Sequence, residues 1–380
     1  MTQLFRYLLA FGLTWLLLGG IFSYAQHSDD TDFDVSQAIV EFFETPQPEA
    51  QLNPSELTEL PYSVTYIRDV AEAAFSRDVE RLLQTVQATD ADAFIDAIEY
   101  DERSSFAEAI LTAMKHDQKA GGNLKLISIL EGYLDDEGWF LRSIAGSILS
   151  HVYMTQSELL VSAGYVQDAI DIIPSELSPE TTYARLVAAE GAMSLHAIQG
   201  NPVFLLEAAR IQKRTRQSIG KEINRYELMT NFIYALNEDR DFSGAAEIAE
   251  LLIAEPVPDN AVPGLAETYM AETYNALAQY MRALSLSENA RLNATHPVIL
   301  RRSRRAYLIA LAGLGRETEA RNWMVEWGLD HDQIELLTEV VNPDVLYAEA
   351  LLAMNRGDTK LWSDLLKRWT SFICTSAQRF

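Results

Sequence analysis

One short pattern recurs along this chain and limits what it can fold into. An apolar helical run reaches a turn, and a small or apolar residue follows five positions later. In "AYLIALAGLGRETEARNW", Ala306 to Trp323, the turn is at Gly315 and the later residue is Ala320. The same arrangement places Ala169 after Gly164, Leu205 after Gly200, Ala245 after Arg240, Ala283 after Ala278 and Trp362 after Gly357. Successive anchors lie roughly 36 to 42 residues apart, an interval that marks stacked helical pairs. A single pair cannot bury its own apolar stripe, so the units must stack. Runs such as "YIRDVAEAAFSRDVERLLQTV" are rich in alanine and leucine at three-and-four spacing and lack period-two alternation, so the ordered part is predicted to be all α. Glycine and proline at "AGGN", "IIPSELSP", "QGNP", "AEPVPDN" and "VVNPD" separate the helices.

The unit resembles the tetratricopeptide family over residues 147–369. Four of the six anchors are alanine, which lets the second helix of a pair lie close to the first. Pro256, Pro297 and Pro343 fall between units, as in that family. Arg240 and Ala278 stand where the family has a turn glycine. Leu205 and Trp362 depart from the small anchor, so their units are expected to pack differently. The resemblance implies an α-solenoid, a right-handed superhelix of antiparallel helix pairs with a concave groove. Residues 61–146 read as atypical N-terminal pairs whose turns do not fit the template, and residues 370–380 as a tail.

The first residues set the expected compartment. Arg6, the apolar run "YLLAFGLTWLLLGGIF" and the small residues Ser23 and Ala25 read as a signal peptide cleaved after Ala25. That places the mature protein outside the cytoplasm, in a bacterial periplasm. The alternative is an uncleaved anchor, since Tyr7 to Tyr24 just reaches the roughly 18 residues of a membrane span. Cys374 is the only cysteine, so no disulfide framework is available. Residues 26–60 are acidic, without lysine or arginine, and interrupted by Pro46, Pro48 and Pro54. They read as a poorly ordered leader in which "VSQAIVEFF" forms a short amphipathic helix. Asp30, Asp32, Asp34 and Glu41 match calcium-loop spacing, but Val35 stands where the sharp turn needs glycine, so no calcium site is expected. A net charge of -25 opposes binding to nucleic acid or an anionic membrane.

No catalytic signature emerges, neither His-Glu-x-x-His, Gly-x-Ser-x-Gly, a phosphate-cradling loop nor a metal-spaced Cys/His cluster, and no cofactor or metal is implied. His196 reads as a hydrogen-bonded structural histidine, "LDHD" at Leu329 to Asp332 as a capping turn, and Trp323, Trp327, Trp362 and Trp369 as packing residues. The arginine clusters "RIQKRTR" and "RRSRR" are conspicuous in so acidic a chain. On the family's template, groove positions fall at Tyr234, Asn237, Glu272, Asn275, Arg302 and Arg305. Amides there would hold an extended backbone, and guanidinium groups a carboxylate. The first reading is an exported, non-enzymatic scaffold that binds a protein or peptide segment with an acidic or carboxylate end. The alternatives are the input region of a longer signalling protein, such as a membrane-linked diguanylate cyclase, and a solenoid-type hydrolase.

Overall fold

The computed structural model describes residues 34–44, 60–135, 138–176, 178–218, 222–259, 261–327 and 343–367. The apolar leading segment, the cleavage site at Ala25, Asp30, Asp32, the "LDHD" stretch and Trp369 lie outside them. The described residues are helical, with no strand among them. In chain order the helices are α1 (Val35–Glu44), α2 (Tyr62–Ser76), α3 (Val79–Gln87), α4 (Ala97–Ala120), α5 (Leu124–Tyr133), α6 (Trp139–Thr155) and α7 (Leu159–Asp171). They continue as α8 (Pro179–Ile198), α9 (Pro202–Ser218), α10 (Arg225–Asp239), α11 (Phe242–Ile253), α12 (Leu265–Ala276) and α13 (Tyr280–Asn293). The last are α14 (Pro297–Gly313), α15 (Glu317–Glu326), α16 (Pro343–Asn355) and α17 (359–367). Among them no helix is long and apolar enough to cross a membrane.

Neighbouring helices pack in pairs, as an α-solenoid requires. The first helices of successive pairs, α6, α8, α10, α12, α14 and α16, each pack on the next and form one layer. The second helices α7, α9, α11 and α13 each pack on their own first helix and on the one that follows. Direct contact between consecutive first helices makes theirs the inner layer.

Among the described residues, every pair turns on a residue with positive φ: Arg77, Gly121, Ser157, Gly200, Arg240, Ala278, Gly315 and Gly357. The closing bonds repeat. At Ala278 its own N–H donates to the Asn275 carbonyl (3.1 Å) and the Gln279 N–H to the Tyr274 carbonyl (2.8 Å), and Ser157, Gly200, Arg240, Gly315 and Gly357 close in the same way. Asp78, Asp241 and Asp358 then cap the following helix, accepting from Arg81, Gly244 and Leu361.

Two sequence expectations change here. The first array unit turns at Ser157, and Gly164 lies inside α7, so the residue five beyond the turn is Ser162, fully buried and bonded to Ser150. Ala169 is still a close-packing residue, since a Cβ on Gly146 would lie 3.2 Å from it. The N-terminal pairs share the left-handed turn residue, but the second departs in closure, since the Gly121 and Gly122 N–H groups both donate to the Asp117 carbonyl (2.8 and 3.2 Å). Arg77 and Gly121 take the same left-handed conformation, and the residues five beyond them, Leu82 and Leu126, are buried at 0% and 2% exposure. Anchors Leu205, Ala245, Ala283 and Ala320 are buried, whereas Trp362 is 36% exposed and does not act as one.

Ala278 holds φ 56°, where a Cβ crowds the backbone and costs about 1–2 kcal/mol. Ala278→Gly removes that penalty but loosens the unfolded chain. A net gain of about 0.5–1 kcal/mol is expected in urea denaturation, and a loss would show that the Ala278 methyl contributes more to packing than its backbone strain removes.

Helix α1 forms where "VSQAIVEFF" was expected, and it is docked. It packs on α9 and α11, burying Ile39, Phe42 and Phe43. Asp34 caps its start by accepting from Ser36 N–H (3.0 Å) and Gln37 N–H (3.1 Å), which together with the Ser36 hydroxyl holds its carboxyl below the usual range. This carboxylate serves the helix, and Glu41 within the helix accepts from Gln37.

Candidate functional site

The six groove residues expected from the sequence come together on the inner layer. Asn237, Glu272, Asn275, Arg302 and Arg305 line a cleft of about 340 Å³ between α10, α12, α14 and α16, and Tyr234 flanks it. The polar groups of Asn237, Glu272, Asn275 and Arg302 are bonded within the protein, whereas Arg305 is exposed. Arg302 pairs with Glu272 through two bonds (Nε to Oε1 2.9 Å, Nη2 to Oε2 2.6 Å), reaches Glu238 at 3.6 Å, and lies 4.9 Å from the ring centres of both Tyr234 and Tyr269. Burial opposes its charge, but the bonds and field of Glu272 outweigh that and raise its pKa. Its charge is therefore compensated in place.

The asparagines tie one unit to the next. Asn237 Nδ2 donates to the Tyr269 carbonyl (3.0 Å) and its Oδ1 accepts from the Thr273 hydroxyl (2.8 Å). Asn275 Nδ2 donates to the Ala306 carbonyl (2.8 Å), while its Oδ1 is buried without a partner. Asn355, at the end of α16, ties back in the opposite direction, donating to the Ala312 carbonyl of α14 (2.9 Å). The polar rung expected from the sequence exists, and its first role is inter-unit packing.

The larger opening lies at the other end of the inner layer. Helix α2 folds back onto α6 and α8, enclosing a cavity of about 850 Å³. That volume falls in the roughly 300–1,000 Å³ range of small-molecule sites. Its walls combine apolar residues such as Leu60, Phe75 and Leu186 with Arg68, Glu72, His151, Thr182, Glu190, Ser194 and Arg216.

These polar groups divide by how far they are engaged. Arg68 pairs with Asp69 (3.0 Å) and approaches Glu72 (3.8 Å), which also pairs with Arg81. His151 packs edge-on against Phe75 at 5.3 Å, and burial lowers its pKa, so it is neutral at pH 7. The Thr182 hydroxyl, in a residue with 0% exposure, and Arg216 Nε are buried without hydrogen-bond partners. Glu190 is open to the cavity, yet the protein crowding around it raises its pKa by desolvation; Arg216 opposes that rise, and Glu227 and Glu72 add to it. Glu190 and Arg216 thus share one field without closing to ion-pair distance.

A raised carboxyl pKa implies a defined pH dependence. Because Glu190 binds its proton more tightly in the folded than in the unfolded chain, its contribution to stability falls as pH rises through that interval, which starts near the ordinary value of 4.5. Glu190→Gln is expected to melt higher than the wild type at pH 7, with the difference closing below pH 4.5. Thermal melts across pH 4–8 check this, and equal melting temperatures throughout would refute it.

The positional template reaches this cavity when applied one unit earlier. Counting from Leu186, positions 2, 5 and 9 are Val187, Glu190 and Ser194, all of which line it. The remaining arginine of "RIQKRTR" that matters, Arg216, comes from the end of α9. No sequence signal indicates that α2 returns to cover this surface.

The other residues singled out by sequence are structural. His196 Nδ1 lies 3.2 Å from Gln199 Oε1 and its ring packs on Phe204. Trp323 packs between Tyr307 and Trp327, with Arg291 4.6 Å from its ring centre. Arg304 stacks over Trp327 at 5.5 Å. Among the described residues no group of three or more His, Cys, Asp or Glu side chains is arranged to hold a metal ion. The chain matches no family model, no curated protein and no solved structure.

Proposed function

We propose that this chain is an exported, non-enzymatic helical-repeat module of the tetratricopeptide-like kind. It binds an extended peptide segment along its inner layer. The observation that carries the reading is the α2-covered cavity, where the accessible side chains of Glu190 and Arg216 stand without an ion-pair contact beside an apolar wall. Extended peptides satisfy such groups with backbone and terminal atoms while filling apolar pockets with side chains. Arg216 is the group for a carboxylate, in place of the Arg302 and Arg305 expected from the sequence, because Arg302 is already held by Glu272. Cleavage after Ala25 and a periplasmic location belong to the same reading.

Filling the cavity tests it. Ser194→Trp places an indole among the lining residues at a partly exposed position. With a random peptide library of mixed length, two to twelve residues, passed over immobilised protein, the variant is expected to retain at least tenfold less peptide than the wild type at an unchanged melting temperature. Equal retention would remove the cavity from the binding surface.

A further inference from the structure

The cavity's charges specify its ligand more narrowly than the inner layer does. Among the described residues, Glu190 and Arg216 are the cavity's two charged lining groups without an ion-pair contact, since Arg68 and Glu72 are engaged by Asp69 and Arg81. One is a carboxylate and the other a guanidinium, so a ligand carrying a single charge satisfies only half of the site. Helix α2 lies across α6 and α8, so a chain laid along the inner layer ends here. Leu60, Phe75, Leu186 and Val187 supply an apolar wall for a side chain.

We infer that the cavity recognises a short peptide of two or three residues with both ends free, its ammonium group at Glu190 and its carboxylate at Arg216. This rests on the peptide-binding reading above and narrows it from a segment to a free-ended zwitterion. The physical basis is closure of an incomplete charge pair. Each charged end supplies the partner that the fold leaves missing, and the interior field makes each contact stronger than it would be in open water. An internal stretch of a longer chain presents neither end.

Full-length protein is dialysed to equilibrium against pooled random tripeptides in three forms, free, N-acetylated and C-amidated, and bound peptide is counted by mass spectrometry. The free pool is expected to bind, and each cap to weaken binding at least tenfold. Glu190→Gln should erase the penalty for acetylation, and Arg216→Gln the penalty for amidation. Cap sensitivity in the wild type stands as a test even if a variant fails to fold. If capped and free tripeptides bind equally, the free-end inference is wrong while the peptide reading survives. If a cap penalty persists unchanged in both folded variants, Glu190 and Arg216 are not the groups that read the ends. If neither the tripeptides nor the mixed-length library binds, both readings fail.

Discussion

Arg302→Ala is expected to destabilise the fold by about 2–3 kcal/mol in urea denaturation. Removing one partner of a buried ion pair costs roughly 3–5 kcal/mol, because the other charge is left desolvated and alone. Here both partners keep some solvent, with side-chain exposures of 24% for Arg302 and 17% for Glu272, so a smaller value applies. The loss also includes the faces of Tyr234 and Tyr269, between which the guanidinium lies. Glu272 would remain near Glu238 with no cation between them. From sequence, this arginine reads as a groove residue that meets a ligand carboxylate. Its neighbour Arg301 is exposed, and Arg301→Ala should stay within about 0.5 kcal/mol of the wild type. A double variant, Arg302→Met with Glu272→Leu, should recover most of the loss, because it leaves no buried charge unpaired. Equal stability of Arg302→Ala and Arg301→Ala would mean that the pair is a solvated surface contact.

The helix-pair period was legible because a left-handed turn narrows the choice of residue and a close helix crossing narrows the anchor. Gly200, Gly315 and Gly357, and the alanines at 245, 283 and 320, report both demands directly. Where a side chain other than glycine accepts positive φ, that report is lost. At Ser157 the reading moved to Gly164, about seven residues on, which is two helical turns. A shift of two turns keeps the same face, so helical periodicity cannot detect it. Arg77 hid the first pair in the same manner.

The groove positions at 234, 237, 272, 275, 302 and 305 were legible as neighbours, since they follow from register alone. Their bonding was not. Whether Asn237 reaches a ligand or the Tyr269 carbonyl depends on the spacing between two first helices, which no local pattern encodes. The cavity needed a longer-range fact still, that α2 packs back on α6 and α8.

A chain beginning at residue 45 is expected to lose about 2–4 kcal/mol, because α1 is a packed part of the second-helix side. Ile39, Phe42 and Phe43 are 0%, 6% and 5% exposed, and full burial of each is worth roughly 1.5–3 kcal/mol. Ordering a ten-residue helix that is marginal alone in water offsets part of that gain. The end of α1 is gripped specifically. Lys213 Nζ donates to the Phe42 carbonyl (2.6 Å) and Arg225 Nη1 to the Phe43 carbonyl (2.8 Å), satisfying acceptors that a helix end leaves open. Phe43 meets Phe232 edge-on at 6.0 Å, and the cations lie over both aromatic rings, 4.5 Å for Lys213 on Phe42 and 5.2 Å for Arg225 on Phe43. Contact is closest at Gly244, where a Cβ would come within 2.6 Å of Ser36 Cβ and would also strike the Asp241 carboxylate that caps α11. Gly244→Ala should therefore destabilise the whole chain more than the truncated one, the difference isolating the α1 contact from the cap. A synthetic peptide of residues 34–44, added to the truncated chain, should raise its melting temperature progressively, the added stability reaching about 2.7 kcal/mol at a hundred times its Kd. The same peptide with Phe43→Ala should not. If the truncated chain melts like the full one, or if both peptides act alike, α1 rests on the surface without contributing to the fold.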